Sequence, residues 1–144
     1  MIHKTTFRVR YKETDQMGLV HHSNYPVWFE VGRTEMIREL GLSYGELERQ
    51  GILLPVVDLH CRFIASARYD DEVKILTRVG EVRGPKLVFQ YDVQKADTKD
   101  LLARGKTTHL WVDTSMKRVS LKETHPKVYQ KLSAVVVRPG DEGE

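Results

Sequence analysis

The chain has 144 residues, 23 Lys and Arg against 20 Asp and Glu, and a formal net charge of +3, with 40% of its residues hydrophobic. This is the size and mix of one globular domain, too short for two domains of ordinary size, and no stretch approaches the roughly 20 apolar residues of a membrane helix. The single cysteine, Cys61, excludes an internal disulfide and leaves no CxxC partner for a zinc cluster. Basic residues are interleaved with acids, as in Lys12-Glu13 and Asp70-Asp71-Glu72-Lys74, which argues against nucleic acid and suits an anionic small ligand. The N-terminal residues lack the apolar run of a signal peptide, so a cytoplasmic location is expected.

Residues 5–10 alternate as a strand does, and turn formers without a helical period follow up to Asn24. Ser23 or Asn24 can cap a helix that takes Pro26 in its first turn. Phe29, Met36, Ile37 and Leu40 give that helix an apolar stripe, Trp28 and Val31 widen it, and Gly41 stops it. Ser43 and Glu46 have the spacing of a capping box for a second, short helix closed by Gly51. The period then changes to two. Val57, Leu59, Cys61 and Phe63, then Val73, Ile75 and Val79, then Leu87, Phe89, Tyr91 and Val93 each alternate with polar residues, predicting three half-buried strands. A fourth is expected over 101–113, and the connections 66–71, 84–85 and 97–100 are short enough for hairpins, so an antiparallel meander is expected. A last short helix is expected over 127–134, and residues 139–144 read as a flexible tail on a single domain of residues 1–138. One strand, one long helix and four antiparallel strands define an α+β architecture in which a curved five-stranded sheet wraps a central helix. Its open edges predict dimerisation.

The chain contains no GxSxG, GxGxxG, GxxxxGK[ST] or HExxH, which removes serine-hydrolase, Rossmann, P-loop and zincin chemistry. His21, His22, His60, His109 and His125 lack metal-ligand spacing, so no metal site is expected. The informative segment is 11–35, where Asp15 lies in a loop that feeds a helix N-terminus. A carboxylate beside oriented backbone N–H groups can act on a carbonyl whose developing oxyanion the helix end holds, and Gly18 lets backbone come close to a ligand. Read on their own, the same residues serve equally as a turn cap at Asp15, a positive φ at Gly18 and a polar residue before the helix at His22.

Tyr11, Thr14, Asp15, Gly18, Val20, His22 and Tyr25 follow the order Tyr-x-x-Thr-Asp-x-x-Gly-x-Val-x-His-x-x-Tyr. This segment resembles the active-site signature of the hot-dog-fold acyl-CoA thioesterases of the 4-hydroxybenzoyl-CoA and Tol–Pal-associated type. A second block, 54–73, resembles that family's second strand and the turn into its third. The resemblance implies thioesterase chemistry with Asp15 as the catalytic carboxylate, either nucleophile or general base. It also implies the His22 backbone N–H as oxyanion donor, and Gly18 and Tyr25 shaping the acyl pocket. A departing thiol of pKa ~8.5 needs little help from a general acid, so such a sparse site suffices. Arg83 and Lys86 flank Gly84-Pro85, where they serve either as a solvated turn or as contacts for coenzyme A phosphates. The resemblance further implies a homo-oligomer with sites between subunits, a dimer at least and a tetramer of paired dimers by expectation. It implies acyl-CoA or acyl carrier protein thioesters as substrates, and no metal or redox cofactor. His22 with a helix acid, Glu30 or Glu35, is also similar to the hydroxyacyl dehydratases, and a non-catalytic acyl-CoA-binding protein is the third reading. Glu35 is expected to pair with Arg38.

Overall fold

A computed structural model describes residues 1–137; residues 138–144, including the expected tail, lie outside that range. Strand β1 (His3–Arg8) leads through a single 3-10 turn (Tyr11–Glu13) and a loop into helix α1 (Asn24–Glu39), which a short α2 (Tyr44–Arg49) follows. Four strands come next: β2 (Val56–Phe63), β3 (Glu72–Arg83), β4 (Lys86–Lys95) and β5 (Leu101–Leu110), before α3 (Leu121–Thr124) and α4 (Pro126–Ala134). The helix starts at Asn24 and stops just before Gly41 at φ +79°, but the expected side-chain cap is not made: Ser23 accepts no amide there and Asn24 Nδ2 instead donates to the Glu13 and His21 carbonyls, whereas at the head of α2 the Ser43 hydroxyl accepts from the Glu46 amide at 3.4 Å. Glu35 accepts from Arg38 at 2.6 Å, as expected.

All five strands form one antiparallel sheet in the order β1-β3-β4-β5-β2. The expected meander is therefore corrected at one point. Residues 84–85 and 97–100 do make hairpins, but 66–71 belongs to a crossover that carries the chain from β2, at one edge, past β5 and β4 to β3. β1 already occupies one side of β3 and β4 the other, so β2 is left with the free side of β5.

α1 lies across the inner face and buries Tyr25, Trp28, Phe29, Gly32, Met36 and Ile37. Val31 stays 37% exposed, so the apolar stripe is narrower than expected. Two glycines set the approach. A Cβ on Gly105 would lie 2.2 Å from Phe29 Cζ, and one on Gly32 would lie 2.4 Å from Thr77 Oγ1. Phe29 stacks on Tyr91 with centroids 4.4 Å apart, and both are buried. The outlier is β2. Val57, Leu59 and Phe63 were expected half-buried, yet they are 52%, 43% and 52% exposed, because α1 meets this edge strand only near the helix N-terminus, where Tyr25 packs on Phe63, and leaves the rest uncovered.

Candidate active site

The loop between β1 and α1 is built from hydrogen bonds that its own residue types supply. Asp15 Oδ1 accepts from the amides of Met17 (2.8 Å) and Leu19 (3.2 Å), and the Asp15 amide donates to the Leu19 carbonyl at 2.8 Å. This is the aspartate turn anticipated from chemistry alone. Gly18 closes it at φ +77°, a conformation other residues enter at a cost, and nothing lies within 4 Å of where its Cβ would be. Gly18 thus serves the turn, and it is absent from the walls of the hollow described below. The loop is strapped to the crossover: Val20 donates to the Ala67 carbonyl at 2.9 Å and Tyr69 to the Gly18 carbonyl at 3.2 Å.

A hollow of about 390 Å³ opens beside this turn, lined by Asp15, His22, Tyr25, Phe63, Ile64 and Ser66 among others. The structure thus brings Asp15, His22 and Tyr25 together, as expected. Asp15 is exposed, and its Oδ2 takes no hydrogen bond from a described residue. Tyr25 is 2% exposed, packs edge-on against Phe63 with centroids 5.1 Å apart, and has its hydroxyl pKa raised by burial. At the start of α1 most amides are engaged. Ser23 donates to His21 Nδ1 (3.2 Å), Asn24 to the His21 carbonyl (3.1 Å) and Tyr25 to the His22 carbonyl (3.3 Å), while Pro26 has none. The His22 N–H alone of residues 21–25 has no acceptor among the described residues, and it sits at the positive end of the helix.

One residue that carries the site was not anticipated. Glu13 is 2% exposed, and its carboxylate accepts from Trp28 Nε1 (2.8 Å), the Arg10 amide (2.7 Å) and the Arg10 guanidinium (3.1 Å). Its carbonyl takes the His21 amide and the Asn24 side chain, both at 2.9 Å. Burial pushes the Glu13 carboxyl upward, but the hydrogen bonds from Arg10 and Trp28 outweigh it and hold the group below the usual carboxylate range. Glu13 pins the start of the loop to its end and to the helix. The only sequence signal for it was an acid close to a tryptophan whose buried indole N–H needs an acceptor.

Arg83 and Lys86 do not join this hollow within one protomer. They face each other across the β3–β4 hairpin, and Lys86 pairs with Leu110, placing both at the Val56 end of the sheet, while Asp15 and Phe63 lie at the other. The seven-residue step from Phe63 to Val56 spans roughly 23 Å. Lys86 Nζ meets Glu81 at 3.5 Å. No group of three His, Cys, Asp or Glu among the described residues is placed to hold a metal ion, and none of their helices is long and apolar enough to cross a membrane.

A five-stranded antiparallel sheet around one helix, with an aspartate turn feeding the helix N-terminus, defines a hot-dog-fold thioesterase, a hydrolase acting on thioester bonds. The comparisons agree, and the chain belongs to the Thioesterase-like superfamily, whose profile matches residues 9–132. It is 36% identical over 126 residues to the Bacillus subtilis protein YneP, provisionally named an acyl-CoA thioesterase, covering 87% of this chain and 91% of that one. Among solved structures it is similar to the DHNA-CoA thioesterase of Staphylococcus aureus, with TM-score 0.86, 32% identity and coverage of 95% and 97%. It is also similar to the hypothetical protein TT1821 of Thermus thermophilus, with TM-score 0.85, 37% identity and coverage of 95% and 99%.

Proposed function

We propose that this chain hydrolyses acyl-CoA thioesters in the hollow between Asp15 and the start of α1. The observation that carries the proposal is the pairing of a half-engaged carboxylate with an unengaged amide. Two backbone N–H groups fix Asp15 Oδ1 and leave Oδ2 without a partner among the described residues, while the His22 N–H stands unengaged at the helix end beside the same hollow. With the thioester carbonyl oxygen on the His22 N–H, negative charge developing there gains from the amide and the helix dipole. Asp15 then acts in one of two ways. Its Oδ2 attacks the carbonyl carbon, the C–S bond breaks with the electron pair leaving on sulfur, and water cleaves the resulting anhydride. Alternatively, Oδ2 takes a proton from a water that attacks directly. Both routes end in free acid and thiol, with coenzyme A entering as part of the substrate and with no metal or redox cofactor. Tyr25, Phe63 and Ile64 provide an apolar wall for the acyl group. Acyl groups on acyl carrier protein present the same thioester and fall within the proposal.

The working unit on this reading is a homodimer joined through β2, with a tetramer of paired dimers as the larger assembly. Val57, Leu59, Phe63 and Ile64 expose 43–52% of their surface along an edge strand, which calls for a covering partner. Antiparallel pairing of two β2 strands sets the partner's Val56 end beside this protomer's Phe63 end. The partner's Lys86 then lies about three strand spacings, roughly 14 Å, from the edge of this hollow, and the partner subunit's Arg83 about four, roughly 19 Å. There they can meet the coenzyme A phosphates that the same protomer's Arg83 and Lys86 are too far away to reach.

Thiol release from short, long and aromatic acyl-CoAs tests the reading. Wild-type turnover that falls at least 100-fold in Asp15→Asn, with the melting temperature unchanged, is expected. Equal turnover in both proteins would overturn the role of Asp15. Hydration of an unsaturated acyl-CoA without thiol release would identify a dehydratase instead, and stoichiometric binding without turnover a binding protein.

A further inference from the structure

We infer that the outer face of the sheet, opposite α1 and the Asp15 hollow, carries a second binding site for a small polyphosphate anion. A depression of about 550 Å³ lies there, lined by His60 and Arg62 of β2, Arg104 and Lys106 of β5, and Gln90, Asp92 and Gln94 of β4 with Arg78 of β3. The volume suits a small ligand. The register is what makes this face unusual. Arg62 stands directly opposite Arg104, and His60 directly opposite Lys106. The opposed Arg62 and Arg104 have Cβ atoms about 5 Å apart, where like charges destabilise a sheet. Among the described residues one acid answers them. Asp92 lies 3.4 Å from Arg104 and 3.5 Å from Arg78, which spends its charge on β4 and the far side of the depression. Arg62 and Lys106 are exposed and have no carboxylate within salt-bridge distance among the described residues.

An arrangement that opposes local stability without a compensating partner marks a functional surface. Here the missing partner is negative charge placed between β2 and β5. The three cations Arg62, Arg104 and Lys106 fall on two adjacent rows of the sheet, one strand spacing apart, so one anion with several charged oxygens bridges them all. Guanidinium forks favour phosphate oxygens, and Lys106 adds a point charge. The carboxamides of Gln90 and Gln94 on the neighbouring strand supply further neutral donors. The inference is independent of thioester hydrolysis, because none of these residues lines the Asp15 hollow.

Titration calorimetry of the full chain with sodium tripolyphosphate at low salt tests it, with Arg62→Gln/Lys106→Gln and Arg83→Gln/Lys86→Gln as the two comparison proteins. Binding to wild type, weakened at least tenfold by the first double variant and by less than twofold by the second, is expected, and it should fall steeply with added salt. In the absence of anion the Arg62→Gln/Lys106→Gln protein should melt at or above the wild-type temperature, because the opposed charges are gone. A nucleoside triphosphate binding more tightly than tripolyphosphate would identify a nucleotide as the source, and equal affinity would identify the phosphate chain alone as what is read. Absence of binding, equal binding by the first double variant, or loss of binding on changing Arg83 and Lys86 would overturn the site. So would an altered oligomer mass in the first double variant accompanied by no wild-type binding, which would make this face an interface between copies.

Discussion

His109 should make the stability of the domain fall as the pH drops from about 6.5 to 4. The ring is 1% exposed on the inner face of β5, edge-on to Phe89 with centroids 5.4 Å apart. Nδ1 faces the Leu54 carbonyl at 3.4 Å, so Nε2 is left to accept from the Thr107 hydroxyl at 2.8 Å, which in turn contacts the Tyr91 hydroxyl at 2.6 Å. Protonating Nε2 would remove that acceptor and place a cation near Arg33. Burial first, then the Arg33 charge, brings the His109 pKa down to about 4 from 6.5, against the opposing bond to Leu54. The unfolded chain takes up this proton near pH 6.5 and the folded one resists until near 4, so the unfolded state binds more protons across that window. The depression corresponds to about 3 kcal/mol of stability present above pH 6.5 and lost by pH 4. Urea unfolding of wild type and His109→Gln at several pH values isolates this residue from the carboxylates that titrate in both proteins. The wild-type curve should lose about 3 kcal/mol more than the variant between pH 7 and pH 4. Parallel curves would refute the neutral, buried histidine.

Three further outcomes follow from the packing. Gly105→Ala puts a methyl group into the Phe29 ring and should lower stability by about 3 kcal/mol, read as a fall in melting temperature; an unchanged value would mean that α1 can lift from the sheet at little cost. Glu13→Gln keeps the shape but loses the charge-assisted bonds to Arg10, and should cost about 2 kcal/mol in urea unfolding and reduce kcat several-fold with KM nearly constant. An unaltered kcat would separate Glu13 from the positioning of Asp15. Leu59→Lys places a charge on the exposed apolar edge and should shift the sedimentation mass toward the monomer, whereas an unchanged mass would exclude β2 as the joining edge.

The elements with a strong period were legible in the sequence: α1 starts at Asn24, where its apolar stripe begins, although no side chain caps it, and β3 and β4 alternate as written. The order of the strands was not, since the eight residues between Phe63 and Glu72 are as compatible with a hairpin as with a crossover, and only the competition of β1 and β4 for the sides of β3 decides. Nor was the exposure of β2, because alternation reports that a face wants to be buried without saying whether the same copy buries it. Asp15, His22 and Tyr25 came together as the motif implied, for they lie within one short loop and one helix turn. The distance of Arg83 and Lys86 from the hollow of their own protomer was not legible either, because a hairpin tip has no address until the sheet is laid out. Glu13 escaped notice because an acid in a loop normally faces water, and its burial depends on Arg10 and Trp28 arriving from two sides.

The crossover has a bearing on how the domain is assembled. Residues 64–71 can settle only after β2 has docked on β5, and their backbone is then the anchor for Val20 and Gly18 on either side of the aspartate turn. The turn that holds the carboxylate is therefore tied down by contacts that span 47 and 51 residues (20 to 67 and 18 to 69), and closing such loops carries an entropic cost. The turn is expected to order late in folding and to open early under stress, so that amide exchange at Val20 and Tyr69 runs ahead of exchange in β3 and β4. Warming would in that case erode hydrolysis before the sheet itself comes apart.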